Sequence, residues 1–214
     1  MGSWSWTVPL CSALVLAGCA AHAGLPSYAA VPDFTLTDQS GAQFASSSAL
    51  RGQVWVADFI YTTCNGPCPR MSSQMHQVQT ALSGSDGFRL VSFTVDPAHD
   101  TPEVLAAYGR NFQAQTGRWF FLTGSQAALQ HLSREVFLLG DVDGTLMHST
   151  RFVLIDRNSH VRGFYDTSDQ DAVPHLIADA KSLLRERSSV TAPQRKVLAA
   201  IFPNWRGGHA LLWR

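Results

Sequence analysis

Two thiols set the chemistry open to this chain. Cys64 and Cys68 stand four residues apart in the stretch Tyr61-Thr62-Thr63-Cys64-Asn65-Gly66-Pro67-Cys68-Pro69-Arg70-Met71. A thiolate is both a nucleophile and a soft metal ligand, so such a pair is either redox-active or metal-binding. The spacing suits a disulfide, whose bridged Cα atoms lie ~4.4–6.8 Å apart, and equally suits two thiolates closing on one soft ion. A purely structural disulfide here would close a very short loop and constrain the unfolded chain little.

The flanking segments must hold these thiols in place. Val54-Trp55-Val56-Ala57-Asp58-Phe59-Ile60 is short, apolar and rich in β-branched and aromatic residues, which predicts a buried strand. After Pro69, Met71, Met75, Val78 and Leu82 recur with helical spacing. The cysteines therefore sit where a strand hands over to a helix, facing one side of the helix start. A helix N-terminus favours thiolate over thiol through its unpaired N–H groups and dipole. Asp58 lies six residues before Cys64 in the strand; buried there, its carboxyl would have a raised pKa and could move a proton at the thiols. Asp96, at the end of the next strand, reads as a hydrogen-bonding group near the site or as a loop cap.

Two cysteines leave a metal ion under-ligated, and the chain has eight histidines. His76 follows Cys68 by eight residues, about 12 Å along a helix, too far to share its ion. His148 stands just before a late strand, at the sheet edge that faces the cysteine loop. Taken alone, such a residue is more often a surface or hydrogen-bonding histidine than a ligand.

The order of elements predicts an α/β fold. Asp33–Gly41 reads as a strand ending in a turn, Ser46–Leu50 as a short connection, and Phe88–Val95 as the strand after the cysteine helix. Thr101 and Pro102 open a helix over Glu103–Thr116 as N-cap and first residue. Trp119–Leu122 is a strand, Ser125–Phe137 a helix, Asp141–Gly144 a turn, Thr150–Ile155 and His160–Tyr165 a hairpin, and Asp171–Arg187 the closing helix. This is the order of a thioredoxin-like three-layer sandwich with an N-terminal strand extension and an inserted helix.

A composition of 45% hydrophobic and 15% charged residues over 214 residues fits one globular domain with a full core. The formal net charge of +0 and dispersed cations give no footprint for nucleic acid. No apolar stretch is long enough to span a bilayer. The first residues read as a targeting segment: Val8–Ala17 is a short apolar run, and Leu16-Ala17-Gly18-Cys19 resembles the lipobox of bacterial lipoproteins, cut before the cysteine, which is then lipidated. No Lys or Arg precedes Arg51, so the usual positive n-region is missing. The expected division is a signal peptide over 1–18, a lipid-anchored tether over 19–31, a folded domain over 32–187 and a tail over 188–214 to which the sequence assigns no role. Cys11 leaves with the signal peptide and Cys19 takes the lipid, so Cys64 and Cys68 remain as thiols on the periplasmic, oxidising side of a membrane.

Three ordered motifs now carry a resemblance. Cys64-Asn65-Gly66-Pro67-Cys68-Pro69, then Val95-Asp96-Pro97-Ala98-His99-Asp100-Thr101-Pro102, then Met147-His148-Ser149-Thr150-Arg151-Phe152-Val153-Leu154-Ile155-Asp156 are similar to the SCO/SenC family of copper chaperones. The similarity runs from about Pro32 to Arg187. It implies one copper ion per chain, held by Cys64, Cys68 and His148, and delivered to the copper-bearing subunit of cytochrome c oxidase. It also implies exchange with other copper chaperones or thiol reductases. The chemistry agrees, because Cu(I) takes thiolate sulfur and imidazole well, whereas closed structural zinc usually has four ligands. The resemblance implies a carrier rather than an enzyme, with thiol–disulfide reductase activity a second capacity of the cysteines. The enzyme-class alternative is an extracytoplasmic thiol–disulfide oxidoreductase without stored metal, and a redox or copper sensor is the third. Thioredoxin-like reductases use C-x-x-C and a proline facing the cysteines; this chain has one residue more between its cysteines and no proline between Pro102 and Pro174. Asp58 has the offset of the buried acid of thioredoxins.

Overall fold

The computed structural model describes residues 24–139 and 149–186 of the chain. In chain order its elements are β1 (Thr35–Asp38), β2 (Gln43–Ala45), the single turn α1 (Ser46–Ala49), β3 (Val54–Ile60), α2 (Pro67–Ala81), β4 (Phe88–Thr94), α3 (Pro102–Asn111), β5 (Trp119–Thr123), α4 (Gln126–His131) with a π-helical turn over Leu132–Val136, β6 (Arg151–Ile155), β7 (Val161–Asp166) and α5 (Ala172–Arg185). The seven strands form one sheet in the order β2-β1-β5-β4-β3-β6-β7. β3, β4 and β5 run parallel; β1 pairs antiparallel to β5, and β6 antiparallel to β3.

β3 is central, and all seven of its residues are buried. Such a strand must be covered on both faces, which is why it reads as an apolar run broken only by Asp58 rather than an alternating one. Its residues divide between two cores. Val54, Val56 and Ile60 join Met71, Met75 and Val78 of α2, Leu105 of α3 and Leu176 and Leu183 of α5 on one face. Trp55, Ala57 and Phe59 join Phe34, Phe93, Phe137, Leu129 and Leu132 on the other. Helices α2, α3 and α5 thus form one layer and α4 with its π-turn the opposite one, the expected three-layer arrangement with an inserted helix. Asp58 shares the parity of Val56 and Ile60 and so faces the α2 layer.

Local chemistry starts each helix. Pro67 opens α2, where a residue without an N–H loses nothing and a fixed φ is already helical. Thr101 caps α3 by accepting from Val104 N–H at 3.4 Å, and Ser125 caps α4 by accepting from Ala128 N–H at 3.2 Å.

Four details depart from the expected elements. The N-terminal extension is a hairpin, β1 with β2, not one strand. Ser46–Leu50 contains a helical turn whose Ser46 hydroxyl accepts from Phe34 N–H at 2.8 Å. α3 stops at Asn111 instead of reaching Thr116, because Gln113 turns left-handed at φ 55°. Buried Gln79 of α2 secures that turn, donating to Gln113 C=O at 3.0 Å and accepting from Gln115 N–H at 2.9 Å. The helix expected over Ser125–Phe137 changes to π-helical winding after His131.

The segment from Leu25 to Val31, read as tether, lies along β7. Tyr28 N–H donates to Val161 C=O at 2.9 Å, and the Arg162 guanidinium donates to Pro26 and Leu25 C=O at 2.7 and 2.8 Å. Val161 pairs with Ile155, and Ile155 with Trp55. The segment therefore docks beside the start of β3, whereas the cysteine turn follows its end.

Candidate thiol and metal centre

Ile60 ends β3, and residues 61–66 turn back over the N-terminus of α2. Cys64 lies in this turn and not on the helix; Cys68 is the second helical residue. The expectation of two cysteines on one helix face is corrected by Pro67, which starts the helix three residues late. The turn brings the thiols together in another way. The Cys64 sulfur accepts from Gly66 N–H at 3.3 Å, from Cys68 N–H, from the Cys68 thiol and from the Tyr61 hydroxyl. It thereby occupies the place of a side-chain cap that Gly66 cannot supply. Cys64 is 6% exposed and Cys68 fully enclosed, and both are thiols.

Their acidities diverge. Burial works against the Cys64 thiolate, yet the donors from Cys68, Gly66 and Tyr61 outweigh it and hold Cys64 below the ordinary thiol range. Burial drives Cys68 far upward; a hydrogen bond from Tyr61 N–H opposes this, and the charges of Cys64 and Asp58 add to it. Cys64 is the more acidic and the slightly less enclosed sulfur, and Cys68 keeps its proton inside.

Asp58 is 0% exposed, and neither carboxylate oxygen has a hydrogen-bond partner of ordinary geometry. Burial lifts its pKa to about 7, with the nearby Ser92 hydroxyl opposing in part. Ser92 accepts from Trp119 Nε1 at 3.0 Å. The structure thus brings Asp58 into the enclosed layer behind Cys68. Tyr108 closes the same region from α3, its hydroxyl 2.8 Å from that of Ser72 on α2. Burial pushes this phenol up, and the charges of Cys68 and Asp58 push it further.

Asp96 lies in the loop after β4, one residue removed from the cysteine turn. Its mostly buried carboxylate accepts from His99 Nδ1 at 2.8 Å, and its charge reaches the Tyr61 hydroxyl rather than the thiols. The acid that touches the cysteine turn is Asp100. It is fully buried and accepts from Thr62 N–H at 3.2 Å, from Thr62 Oγ1 at 2.5 Å and from Thr94 Oγ1 at 2.5 Å. Tyr61, Thr62, Asp100 and Tyr108 are the residues that sequence reasoning missed. The only signal was the recurrence of acids in Asp96-Pro97-Ala98-His99-Asp100, which does not say which one turns inward.

His148 and Cys19 lie outside the described residues, as do the turn expected over Asp141–Gly144 and the tail over 188–214. Among the described residues no three His, Cys, Asp or Glu side chains gather as a metal site. Two soft sulfurs, one with its acidity raised by the donors around it, nevertheless form most of a donor set for a soft monovalent ion. The strand that follows His148 is tied to the cysteine helix. Thr167 N–H and Oγ1 donate to Thr150 C=O at 2.9 and 2.6 Å, while Thr167 C=O accepts from Arg70 Nη1 at 2.9 Å and Gln74 Nε2 at 3.1 Å.

The chain matches the SCO1/SenC family model over residues 23–185. It is 32% identical over 158 residues to the SCO1 protein homolog of Bacillus subtilis, covering 71% of this chain and 81% of that one. It is 31% identical over 147 residues to a Stutzerimonas stutzeri protein provisionally named for copper binding, covering 65% and 70%. The solved structure of BsSco superposes with a TM-score of 0.65 at 30% identity, covering 76% of this chain and 97% of that one. BsSco is described as carrying a disulfide switch and as a member of the Sco family of cytochrome c oxidase assembly proteins.

Proposed function

The chain belongs to the SCO1/SenC family, and from that premise we propose that it is a copper metallochaperone which carries one copper ion to the copper-bearing subunit of cytochrome c oxidase. The observation that carries the reading is the joined pair of sulfurs: the Cys68 N–H and thiol both bond to Cys64, so two soft donors already converge at the end of the central strand. In this reading Cys64, Cys68 and His148 hold the ion. Copper-related naming among its relatives and the oxidase-assembly role of BsSco support it. The cysteines must be reduced to bind, so loading is gated by their redox state. Release proceeds by ligand exchange, an incoming thiolate or imidazole replacing one protein ligand at a time. The signal peptide over 1–18 and a lipid on Cys19 would keep the protein on the periplasmic face of a membrane; no described helix is long and apolar enough to cross one.

The test is a Cu(I) titration of the reduced protein against a competing chelator, beside His148→Ala. One tightly held ion per chain, weakened strongly in the variant, is the expected result. Indifference to His148 would remove it from the ligand set, and absence of retention would sink the chaperone reading.

One observation favours a second capacity. An acidified Cys64 with a sliver of exposure, and a protonated, fully enclosed Cys68 behind it, is the polarity of an attacking and a resolving thiol. On this reading the same pair performs thiol–disulfide exchange with a partner. Turnover of a dithiol substrate that ignores His148 would support it.

A further inference from the structure

We propose that His99, held by Asp96 beside the cysteine turn, is a way-station ligand that receives Cu(I) on its Nε2 before the ion passes to Cys64 and Cys68. This rests on the copper reading above and adds a second, transient metal site to it.

His99 is 72% exposed, yet it is not a loose surface side chain. Its Nδ1 lies 3.0 and 2.8 Å from the two Asp96 oxygens, so Nδ1–H donates and Nε2 is the nitrogen left for a ligand. A carboxylate behind an imidazole is the arrangement that fixes the tautomer and ring direction of metal-binding histidines and strengthens them as donors. The backbone is equally fixed: His99 N–H and Asp100 N–H both donate to Asp96 C=O, at 3.2 and 2.9 Å, and Thr101 N–H donates to His99 C=O at 2.9 Å. Among the described residues His131 with Glu135 at 3.0 Å has a solvated acid, Glu135 being 67% exposed against 13% for Asp96, and His160 stands 3.9 Å from the enclosed Asp156, too far for a hydrogen bond. Enclosing a carboxylate to aim an exposed imidazole costs desolvation that a solvated pair avoids.

The place of this imidazole gives it a use. Ile60 and Thr94 are paired neighbours on parallel strands, ~4.8 Å apart, and Val95 N–H donates to Ile60 C=O at 2.8 Å. The turn bearing Cys64 and the loop bearing His99 leave the sheet side by side. Asp100, the residue after His99, bonds Thr62, two residues before Cys64. Tyr61 spans the remaining gap, with its hydroxyl on Cys64 and within reach of the Asp96 charge. Cys64 and Cys68 present little surface to an arriving ion, and His99 presents much.

The exchange is balanced without redox chemistry. The Nε2–Cu bond forms as a bond from copper to its donor ligand breaks. The Cys64 sulfur–copper bond then forms as Nε2–Cu breaks. Copper stays Cu(I), and any thiol proton displaced goes to water.

The experiment is stopped-flow transfer of Cu(I) from a bathocuproine disulfonate complex to the reduced full chain in detergent, with equilibrium affinity measured in parallel. His99→Ala is expected to slow uptake about tenfold or more while leaving affinity within about twofold. His131→Ala, the solvated counterpart, is expected to change neither. Asp96→Asn should slow uptake less than His99→Ala does. Wild-type uptake rates in His99→Ala, or a fall in affinity as large as the fall in rate, would overturn the proposal. If the wild-type chain retains no Cu(I), it is the copper reading that fails, and this inference falls with it.

Discussion

Asp100 accepts the Thr62 hydroxyl at 2.5 Å and so locks the loop after β4 onto the turn that carries Cys64. The carboxylate is buried and also receives Thr62 N–H and Thr94 Oγ1, so removing it leaves three donors without their acceptor, the Thr94 hydroxyl fully buried. Asp100→Ala is expected to lose about 2–4 kcal/mol in urea unfolding of the reduced protein, and Asp100→Asn less. The turn should also open, so that Cys68 in Asp100→Ala is alkylated faster under native conditions. Wild-type stability and protection in that variant would show the lock to be incidental.

Tyr61 hydrogen-bonds both sulfurs and favours the thiolate at each. Its hydroxyl donates to Cys64 while its backbone N–H donates to Cys68. Tyr61→Phe keeps the ring and the N–H but removes the donor that favours the Cys64 thiolate. The Cys64 pKa should rise, and its alkylation rate at pH 7 should fall several-fold, with the two chains converging once the pH exceeds both thiol values. Alkylation rate against pH, with peptide mapping to assign the cysteine, measures this directly. A Tyr61→Phe profile that overlays the wild type would remove the hydroxyl from the account.

Much of this site was legible in the residues before any coordinates, and the rest was hidden for physical reasons. The six apolar residues of β3 and the proline at the start of α2 announced a buried strand and a helix start, since both signals are local. Asp58 could be located by its parity within that strand. Asp100 could not be preferred over Asp96, because the two differ only in which way a tight loop turns. Tyr61 stands at the head of the cysteine stretch without a sign of its use; its role depends on a turn geometry set by Pro67. β2 and α1 escaped because elements of three and four residues carry too little periodicity. The π-helical turn after α4 escaped because its change of winding leaves the apolar spacing helix-like.

Asp58 should make stability depend on pH in the metal-free, reduced protein. Its carboxyl rises from 3.8 to about 7 on folding, so the folded state holds the proton more tightly than the unfolded state. The resulting stabilisation is complete below about pH 4 and is lost as pH rises through about 7. The full swing is on the order of 4 kcal/mol for so enclosed a group. Asp58→Asn removes this titration. Its stability should change less than that of the wild type between pH 5 and pH 8, whatever the two values are at pH 5. The variant should also lower the Cys68 pKa, since one neighbouring negative charge is gone. Parallel stability curves for the two proteins would mean that Asp58 is already ionised in the fold.

Thr167 should couple the cysteine helix to the strand that follows His148. It is 1% exposed; its N–H and hydroxyl hold Thr150 C=O, and its own C=O is gripped by Arg70 and Gln74 from α2. Thr167→Val keeps the shape and the backbone bonds but leaves Thr150 without the 2.6 Å hydroxyl donor. A cost of about 1 kcal/mol in unfolding is expected from the lost hydrogen bond. A merely structural hydroxyl would do nothing more. If it also sets the separation between Cys64, Cys68 and residues 149–150, the Cu(II) absorption and electron spin resonance spectra of the loaded protein should shift in Thr167→Val. They should return to the wild-type form in Thr167→Ser, which restores the donor. Spectra unchanged across all three proteins would confine Thr167 to stability and leave the position of His148 to other contacts.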